Sequence, residues 1–445
     1  MENKRITNQF SRRDFFKTAS MAAAGGVLMS TLPTETSANV QGSDRLKIAI
    51  IGCGGRGTGA ANLTLALEKG VQLVAMADVF RDRLDDSYDL LSQRYGDTEK
   101  IAVPEENKFI GLDSYKHATA LADVVLLTAP PGFRPMHFAE AVAQGKHIFM
   151  EKPLGTDAPG IRIVLESAKI ARDKKLSVVV GLQRRYQDNY LRAYEHVQNG
   201  AIGEIISGQV YWNSRGVWVR PRLPEYTELE YQLRNWFYFN WICGDHILEQ
   251  HIHQIDVANW FIGEYPVSAQ GMGGREVRTG KEFGQIFDHH FVEFTYPSGA
   301  VIASQCRHQP NTFFRVAETF QSTKGHINLD GQNRGLLQDR SLNTIYDHDG
   351  IDDPDPYQVE MAVLIDSIRK GTPVDDTDFG AKTTMAALMG RMATYSGQVI
   401  TWDQAMNAKQ KLVPDTMDWN STPPVLPDVN GYYPVPVPGE ANVLV

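Results

Sequence analysis

The chain has 445 residues, 42% of them hydrophobic, so it can bury two cores and is expected to be a large soluble protein of two domains. Its formal net charge is −9 at pH 7, and no lysine- or arginine-rich block follows residue 38, which argues against nucleic acid or an anionic membrane as a partner. The three cysteines, Cys53, Cys243 and Cys306, do not have the spacing of a zinc site, and we assign no disulfide.

Residues 1–38 have the pattern of a targeting segment. The stretch SRRDFFK at 11–17 resembles a twin-arginine export signal, and an apolar run at 21–32 leads to a small-residue exit ending at Ala38. The apolar run is too short and too interrupted by glycine to span a bilayer. We therefore expect export of the folded protein to the periplasm, cleavage near Ala38 and no integral membrane segment.

The next stretch predicts a βαβ unit. Residues 47–51 are apolar and rich in β-branched side chains, as in a buried parallel strand. They run directly into a Gly-x-Gly-x-x-Gly turn formed by Gly52, Gly54 and Gly57, with a further glycine at Gly55. An alanine- and leucine-rich helix is expected at 60–68, and a second apolar strand at 71–77 ends on Asp78.

This unit is the pattern of a dinucleotide-binding site. Glycine allows a tight turn and close approach of the backbone to a pyrophosphate, and the following helix offers free N–H groups to the phosphates. Arg56 lies within the turn, on the cofactor side. Asp78 stands at the distance where an acid binds a ribose 2′-hydroxyl. Because Asp78 would repel a 2′-phosphate, NAD is expected rather than NADP.

The alternation of strands and helices continues to residue 182. Further helices are predicted at 84–95, 136–144 and 161–174, and further strands at 122–128, 147–150 and 177–181. Pro130 interrupts the chain at the carboxyl end of the strand at 122–128, where doubly wound sheets bind their ligands. The sequence therefore predicts an α/β protein whose NAD-binding Rossmann domain covers 45–182.

The motifs of this region resemble those of the glucose–fructose oxidoreductase, inositol dehydrogenase and MocA (Gfo/Idh/MocA) family. The resemblance is carried by the glycine turn and by three further segments: Ala-Pro-Pro at 129–131, Glu-Lys-Pro-Leu at 151–154 and Gly-Leu-Gln-Arg-Arg-Tyr at 181–186. It implies that Pro130 and Glu151 lie at the cofactor and that Lys152 lies between nicotinamide and substrate. A lysine partly desolvated beside a cationic ring can take or relay a hydroxyl proton.

A second domain is predicted at 183–385. Its strands are expected at 203–212, 291–296, 300–305, 313–321 and 326–329. Runs of strands with few helices favour an open, mostly antiparallel sheet in an α+β domain. The family resemblance implies that this sheet lies beneath the nicotinamide and serves as an interface in a homo-oligomer, a dimer or tetramer. Residues 386–445 are predicted to continue a helix and then form a proline-rich arm that wraps a neighbouring domain or subunit.

The segment 236–260 carries most of the remaining candidate chemistry. Its periodicity predicts a helix from about residue 244, with Asp245, Glu249, His253 and Asp256 along one face and His246 beside them. The resemblance implies an acid four residues before a histidine, which places Glu249 where the family usually has aspartate. His253 is the expected proton acceptor, because imidazole titrates near working pH. Asp256 is expected to orient the helix or the histidine.

Other functions of this helix stay open. Asp245, His246, Glu249 and His253 could instead supply nitrogen and oxygen ligands to zinc or manganese. The polar side chains could also simply be satisfied within a capped helix. We assign no metal, and we place Asp245 and His246 among the substrate contacts.

The remaining substrate candidates are aromatic and cationic. Trp218, Arg220 and Trp236 belong to a loop-like region at 213–241, where aromatic planes and arginine donors suit a sugar. Arg184 and Tyr186 follow the last Rossmann strand and could enter the same cleft. A final candidate is Arg134, at a position where the family often has histidine.

Together these features predict an exported oxidoreductase that transfers a hydride between a ring carbon of a sugar or cyclic polyol and a tightly bound NAD. Lys152 and His253 would handle the proton, and Glu249 would tune them. One alternative is an NAD-dependent glycosidase, in which transient oxidation of a ring hydroxyl acidifies the neighbouring C–H and the glycosidic bond breaks by elimination. A second alternative is a non-catalytic sugar sensor on a retained dinucleotide fold.

Overall fold

A computed structural model describes residues 45–67, 69–331 and 334–445. The predicted export signal at 1–38 lies outside these residues, and export stays a prediction. Within the described part of the chain, every helix is too short or too polar to cross a bilayer.

The first half forms the predicted Rossmann sheet, and its six strands are all parallel. The strands are β1 (Leu46–Ile51), β2 (Val71–Asp78), β3 (Lys108–Ile110), β4 (Val124–Leu127), β5 (His147–Met150) and β6 (Val178–Val180). Five helices accompany them: α1 (Gly55–Leu65), α2 (Arg81–Tyr95), α3 (Ser114–Leu121), α4 (Arg134–Ala143) and α5 (Ala158–Asp173). The order β3-β2-β1-β4-β5-β6 reverses between β1 and β4, and that crevice is where such sheets bind dinucleotides.

The second half is built on a nine-stranded sheet that is mostly antiparallel, as expected. Its strands are β7 (Ile205–Ser214), β8 (Ser268–Gly274), β9 (His289–Thr295), β10 (Val301–His308), β11 (Arg315–Ser322), β12 (Gly325–Asp330), β13 (Gly335–Asp339), β14 (Thr344–His348) and β15 (Ile400–Thr401). The order is β14-β13-β12-β11-β7-β10-β9-β8-β15, and only β7 and β10 pair in parallel among these described strands. Residues of β10 alternate strictly between buried and half-exposed, so one face packs on helices and the other is open.

Eight helices complete the described fold. They are α6 (Asp188–Gln198), α7 (Glu228–Arg234), α8 (Asn240–Cys243), α9 (His246–Glu249), α10 (Ile252–Ile262), α11 (Pro356–Lys370), α12 (Thr377–Ser396) and α13 (Trp402–Asn407). The domain boundary predicted at residue 386 falls inside α12. This helix is buried along most of its length between α5 of the first half and β8 of the second, so the chain has no division there.

The proline-rich arm after α13 packs on its own chain. The Tyr433 hydroxyl donates a hydrogen bond to Glu228 at the start of α7, and its ring lies 4.9 Å from that of Phe239. Trp419 contacts Phe80, with ring centroids 5.8 Å apart, and Val443 is buried in the main core. The arm therefore braces α7 and the loop after β2.

The predicted continuous helix from residue 244 is wrong, because the segment folds as two helices. Asp245 has a left-handed φ of 74°, α9 ends at Glu249, and a break at Gln250 and His251 precedes α10. Asp245 lies outside α9 as the residue before it, and its carboxylate accepts hydrogen bonds from the amide of Phe287 at 2.9 Å and the hydroxyl of Tyr395 at 2.5 Å. These bonds turn Asp245 into the core, away from Glu249.

Asp256 orients α10 through a buried ion pair and does not contact the catalytic histidine candidate. Its carboxylate accepts two hydrogen bonds from Arg185, at 2.7 and 2.8 Å, and a third from Thr383 of α12 at 2.9 Å. The Arg185 guanidinium also lies 3.9 Å from the ring centroid of Phe379. One pair thus ties α10 to α12 and to the segment after β6.

Asp256→Asn should lower the free energy of unfolding by about 3–5 kcal/mol, because the substitution leaves the Arg185 charge buried without its counter-charge. Urea denaturation followed by circular dichroism measures the change. The matched control is Asp188→Asn, which removes an exposed pair with Arg192 and should cost less than about 1 kcal/mol. Equal losses in the two variants would contradict the structural role of the buried pair.

Candidate active site

A cleft of about 500 Å³ lies between the two halves of the chain, at the carboxyl ends of β1, β4 and β5. One side is formed by the glycine loop before α1, the ends of β2 and β4, and the segment after β5. The opposite side is formed by β7, the 218–236 region, and the junction between α9 and α10. The cleft therefore combines the switch point of the Rossmann sheet with residues of the second half.

The glycine loop is shaped both by packing and by open space. A Cβ atom on Gly57 would lie 2.0 Å from the Gly52 carbonyl oxygen. Gly52 has a φ of 96°, and a Cβ atom on it would lie 2.4 Å from the Ala129 amide nitrogen. A Cβ on Gly54 or Gly55 would meet no described protein atom within 4 Å and would project into open space. Two glycines therefore let the loop close on the sheet, and two keep its outer surface free of side chains.

This loop fits the pyrophosphate of a dinucleotide. The first amides of α1 have no acceptor within the helix, and they start at Gly55 directly beside the open surface. Asp78 lies in the same cleft, where its carboxylate accepts hydrogen bonds from the amides of Cys53 at 2.6 Å and Phe80 at 2.9 Å. Burial raises the pKa of Asp78. Each of its oxygens keeps a lone pair that can accept a bond from a ribose hydroxyl.

Arg56 lies in the cleft, but its guanidinium is held by two carboxylates. Its Nε donates to Glu151, and its Nη2 donates to Glu360 of α11 at 2.9 Å. The ring of Tyr357 lies against the guanidinium, 4.5 Å from its centroid to Cζ. Arg56 therefore joins the glycine loop, the Glu-Lys-Pro segment and α11, which is a bracing role beside the predicted cofactor position.

Lys152 reaches across the cleft to the second half of the chain. Its Nζ donates to the backbone carbonyl of Glu249 and lies 3.2 Å from the Glu249 carboxylate. Burial raises the pKa of Glu249, and the Lys152 ammonium opposes that effect. Glu249 stands where the family usually has aspartate, and its carboxylate still contacts Lys152.

His253 completes the candidate catalytic group. Its side chain lines the cleft near Trp212, with ring centroids 6.1 Å apart. Burial lowers the pKa of His253 well below its ordinary range, and the charge of Lys152 adds to the effect. His253 is consequently a neutral imidazole at physiological pH and can accept a proton.

Four buried polar atoms of cleft residues lack a hydrogen-bond partner within the described part of the chain. They are Nδ1 of His253, Nε1 of Trp212, Oε1 of Gln183 and Nε of Arg134. Arg134 is held in place by a bond from Nη1 to the Leu127 carbonyl at 2.5 Å, and burial lowers its pKa to about 10.

The predicted aromatic and cationic residues form the outer part of the cleft. Trp218 and Trp236 make an edge contact with centroids 5.8 Å apart, and the Arg220 guanidinium lies 5.0 Å from the Trp218 ring. Pro130 and Glu151 also line the cleft, near the glycine loop. Arg234, which the sequence did not single out, closes the mouth by binding Asp82 at 3.0 Å.

Four predicted substrate residues lie elsewhere, so their predicted role is corrected. Arg184 forms a buried ion pair with Glu318 of β11, and Tyr186 donates to Asp376. Asp245 and His246 are both fully buried, and the His246 Nδ1 lies 2.8 Å from the Asp245 carboxylate. Arg184, Tyr186 and Asp245 each have a polar partner far away in sequence that holds the side chain in the interior, and His246 is bonded to Asp245 there.

The four residues considered as metal ligands do not converge. Glu249 and His253 line the cleft, whereas Asp245 and His246 face the core, where they approach His290. The Asp245 carboxylate there already accepts bonds from backbone, hydroxyl and imidazole groups, which uses its lone pairs. Asp245, His246 and His290 place one ligand atom each within 4.8 Å of one another, and Glu249 and His253 do not belong to that group.

Sequence reasoning also missed several cleft residues. Gln183 lies inside a recognised motif, so a signal existed for it. Tyr357 and Glu360 come from α11, two hundred residues after Glu151, and no local pattern connects them to the cleft.

Comparison with known proteins identifies relatives along most of the chain. Inositol 2-dehydrogenase 3 of Saccharopolyspora erythraea is 25% identical over 358 residues, which cover 80% of this chain and 95% of that enzyme. Among solved structures, aldose-aldose oxidoreductase from Caulobacter crescentus in complex with glycerol matches with a TM-score of 0.62 at 18% identity, covering 80% of this chain and 99% of that one. Scyllo-inositol dehydrogenase from Lactobacillus casei with bound NAD(H) and scyllo-inositol matches with a TM-score of 0.60 at 19% identity, covering 81% and 99%.

Two family models match successive parts of the chain. Residues 46–182 match the oxidoreductase family with an NAD-binding Rossmann fold, and residues 190–319 match the GFO/IDH/MocA C-terminal domain. The two matches together span more than half of the chain and meet at the cleft described above. The chain therefore belongs to the Gfo/Idh/MocA family and is an NAD(P)-dependent oxidoreductase of that family.

Proposed function

We propose that the protein transfers a hydride between a ring carbon of a sugar or cyclic polyol and NAD held at the glycine loop. The observation that carries this proposal is the presence of Lys152, Glu249 and His253 in one cleft with the glycine loop, beside the aromatic and arginine side chains of its outer part. A ligand with several hydroxyl groups can bond to such polar side chains and pack its C–H faces against the rings. Relatives named as inositol dehydrogenases support the same substrate class.

The chemistry needs a proton acceptor close to the substrate hydroxyl. When bound, NAD supplies the hydride acceptor. Neutral His253 can take the hydroxyl proton because its side chain lines the cleft and its lowered pKa keeps it uncharged. Trp212, stacked near the imidazole, limits the positions open to the substrate.

Lys152 supplies positive charge at the same place. Its ammonium is oriented by the Glu249 carbonyl and carboxylate, and it can donate a further hydrogen bond to the substrate oxygen as that oxygen gains negative charge. Glu249 thus acts as a positioning residue for Lys152. Periplasmic location and a homo-oligomeric state remain predictions that accompany this proposal.

The proposal predicts net reduction of added NAD by at least one ring polyol or aldose. Purified protein should be incubated with NAD and, separately, with myo-inositol, scyllo-inositol, a set of aldoses and aryl glycosides, while nicotinamide absorbance and aglycone release are recorded. Aglycone release without net reduction would favour the glycosidase instead. Binding of a sugar with neither reaction would favour the sensor.

Lys152→Met should lower kcat by about 10²–10⁴-fold, because the variant loses the charged donor and keeps the length of the side chain. NAD affinity, measured by titration of the intrinsic fluorescence, should stay within about threefold of the parent protein, since an uncharged side chain leaves the glycine loop intact. Lys169→Met, on the exposed side of α5, is the matched control. An unchanged kcat in Lys152→Met would remove Lys152 from the mechanism.

The pH dependence of kcat/KM tests His253. The neutral form is the active base, so activity is lost only as pH falls through the pKa of the folded enzyme, which lies well below the ordinary value of 6.5. We expect kcat/KM to stay level from about pH 8 down to 6.5 and to decline at lower pH. A loss of kcat/KM centred near pH 6.5 would contradict this expectation. So would a loss of kcat/KM at low pH that persists in His253→Gln.

A further inference from the structure

Gln250 is a cleft residue that neither the sequence motifs nor the proposed mechanism uses. It lies at the break between α9 and α10, directly after Glu249 and three residues before His253. The break itself places it there, because a continuous helix would have directed these side chains differently. Its side chain is half-buried, with one end in the cleft and the other against the interior.

A chain of hydrogen bonds from the interior determines which end of the Gln250 amide faces the cleft. Nη2 of Arg278 lies 2.5 Å from Nδ1 of His308, and Nε2 of His308 lies 2.5 Å from Oε1 of Gln250. A guanidinium can only donate, so Nδ1 of His308 must accept. The imidazole proton is then on Nε2, which donates to the Gln250 carbonyl oxygen.

The two interior members of this chain are fixed by packing. His308 is 1% exposed and its ring lies between those of His246, at 4.5 Å, and Phe237, at 5.8 Å. Arg278 is 4% exposed, and its guanidinium lies 5.2 Å from the Tyr238 ring. Neither side chain can turn without losing buried contacts, so the tautomer of His308 and the orientation of the amide are set together.

The remaining group of Gln250 is its amide nitrogen, which has no acceptor within the described part of the chain and is accessible from the cleft. We propose that Gln250 is a specificity-determining residue whose Nε2 donates a hydrogen bond to an oxygen of the substrate close to the hydroxyl that His253 deprotonates. The ligand group required there is an oxygen acceptor. This inference rests on the proposed function, because it assigns a contact to that same substrate.

Two substitutions separate donation to the substrate from a purely structural role. Gln250→Glu keeps an oxygen that can accept from His308 but presents a second oxygen, an acceptor, to the cleft. Gln250→Ala removes both groups. Gln93→Ala, on the exposed side of α2, is the matched control.

The test uses the full chain loaded with NAD and the polyol that it turns over best, together with the mono-deoxy analogues of that polyol. Calorimetry gives Kd, steady-state kinetics give kcat and KM, and thermal melting checks the fold. We expect both Gln250 variants to raise Kd and KM by about 5- to 150-fold, with a smaller change in kcat. One deoxy analogue should bind the parent protein more weakly than the intact polyol does. The same analogue and the intact polyol should bind Gln250→Ala with equal affinity.

The outcomes that overturn the inference are distinct from those that overturn the proposed function. If the parent protein binds polyols and Gln250→Glu binds them equally well, Gln250 donates no bond to the substrate. If removal of each hydroxyl group weakens binding by the same factor in the parent protein and in Gln250→Ala, the contact lies elsewhere. If the parent protein neither binds nor oxidises any polyol, the proposed function falls and this contact falls with it.

Discussion

The contact between Lys152 and Glu249 couples the chemistry of the cleft to the assembly of the protein. The two residues are 97 positions apart, one after a Rossmann strand and one at the end of a short helix in the second half. An ammonium withdrawn from water costs several kcal/mol unless a partner compensates it. Glu249 provides two acceptors, so docking of the two halves and placement of the catalytic charge are one event.

Arg56 repeats this arrangement at the cofactor side. It places a single guanidinium between Glu151 and Glu360, which come from the first sheet and from α11. Arg56 and Lys152 are therefore both held by carboxylates contributed by other parts of the fold. The charges that would meet a ligand are held before the ligand arrives, which is the condition for electrostatic preorganisation.

The Rossmann half was predictable from the sequence because its signals are local. The glycine turn, the acid at Asp78 and the Glu-Lys-Pro segment each follow a strand within a few residues, and the strand order places them along one edge. The sheet of the second half was predicted in type and in five of its strands. Four strands were missed: β13, β14 and β15 are short and carry too little pattern to be seen without their neighbours, and β8 contains three glycines in seven residues.

The errors of prediction have a common physical cause in long-range polar pairing. Asp245 suited a helix face by spacing, yet bonds from Phe287 and Tyr395 hold its side chain in the core. Arg184 follows the last Rossmann strand, yet Glu318 more than a hundred residues later withdraws it from the cleft. Such partners are invisible to periodicity, since the pattern of a segment contains no information on which distant carboxylate it will meet.

The arm at the carboxyl terminus has a consequence for biosynthesis. Tyr433 holds Glu228 at the start of α7, and the same helix ends on Arg234 at the mouth of the cleft. Because Tyr433 is synthesised long after the Rossmann strands, a nascent chain can form its Rossmann sheet early but lacks the outer support of the cleft until the arm has been made. Completion of the cleft therefore depends on synthesis of the arm.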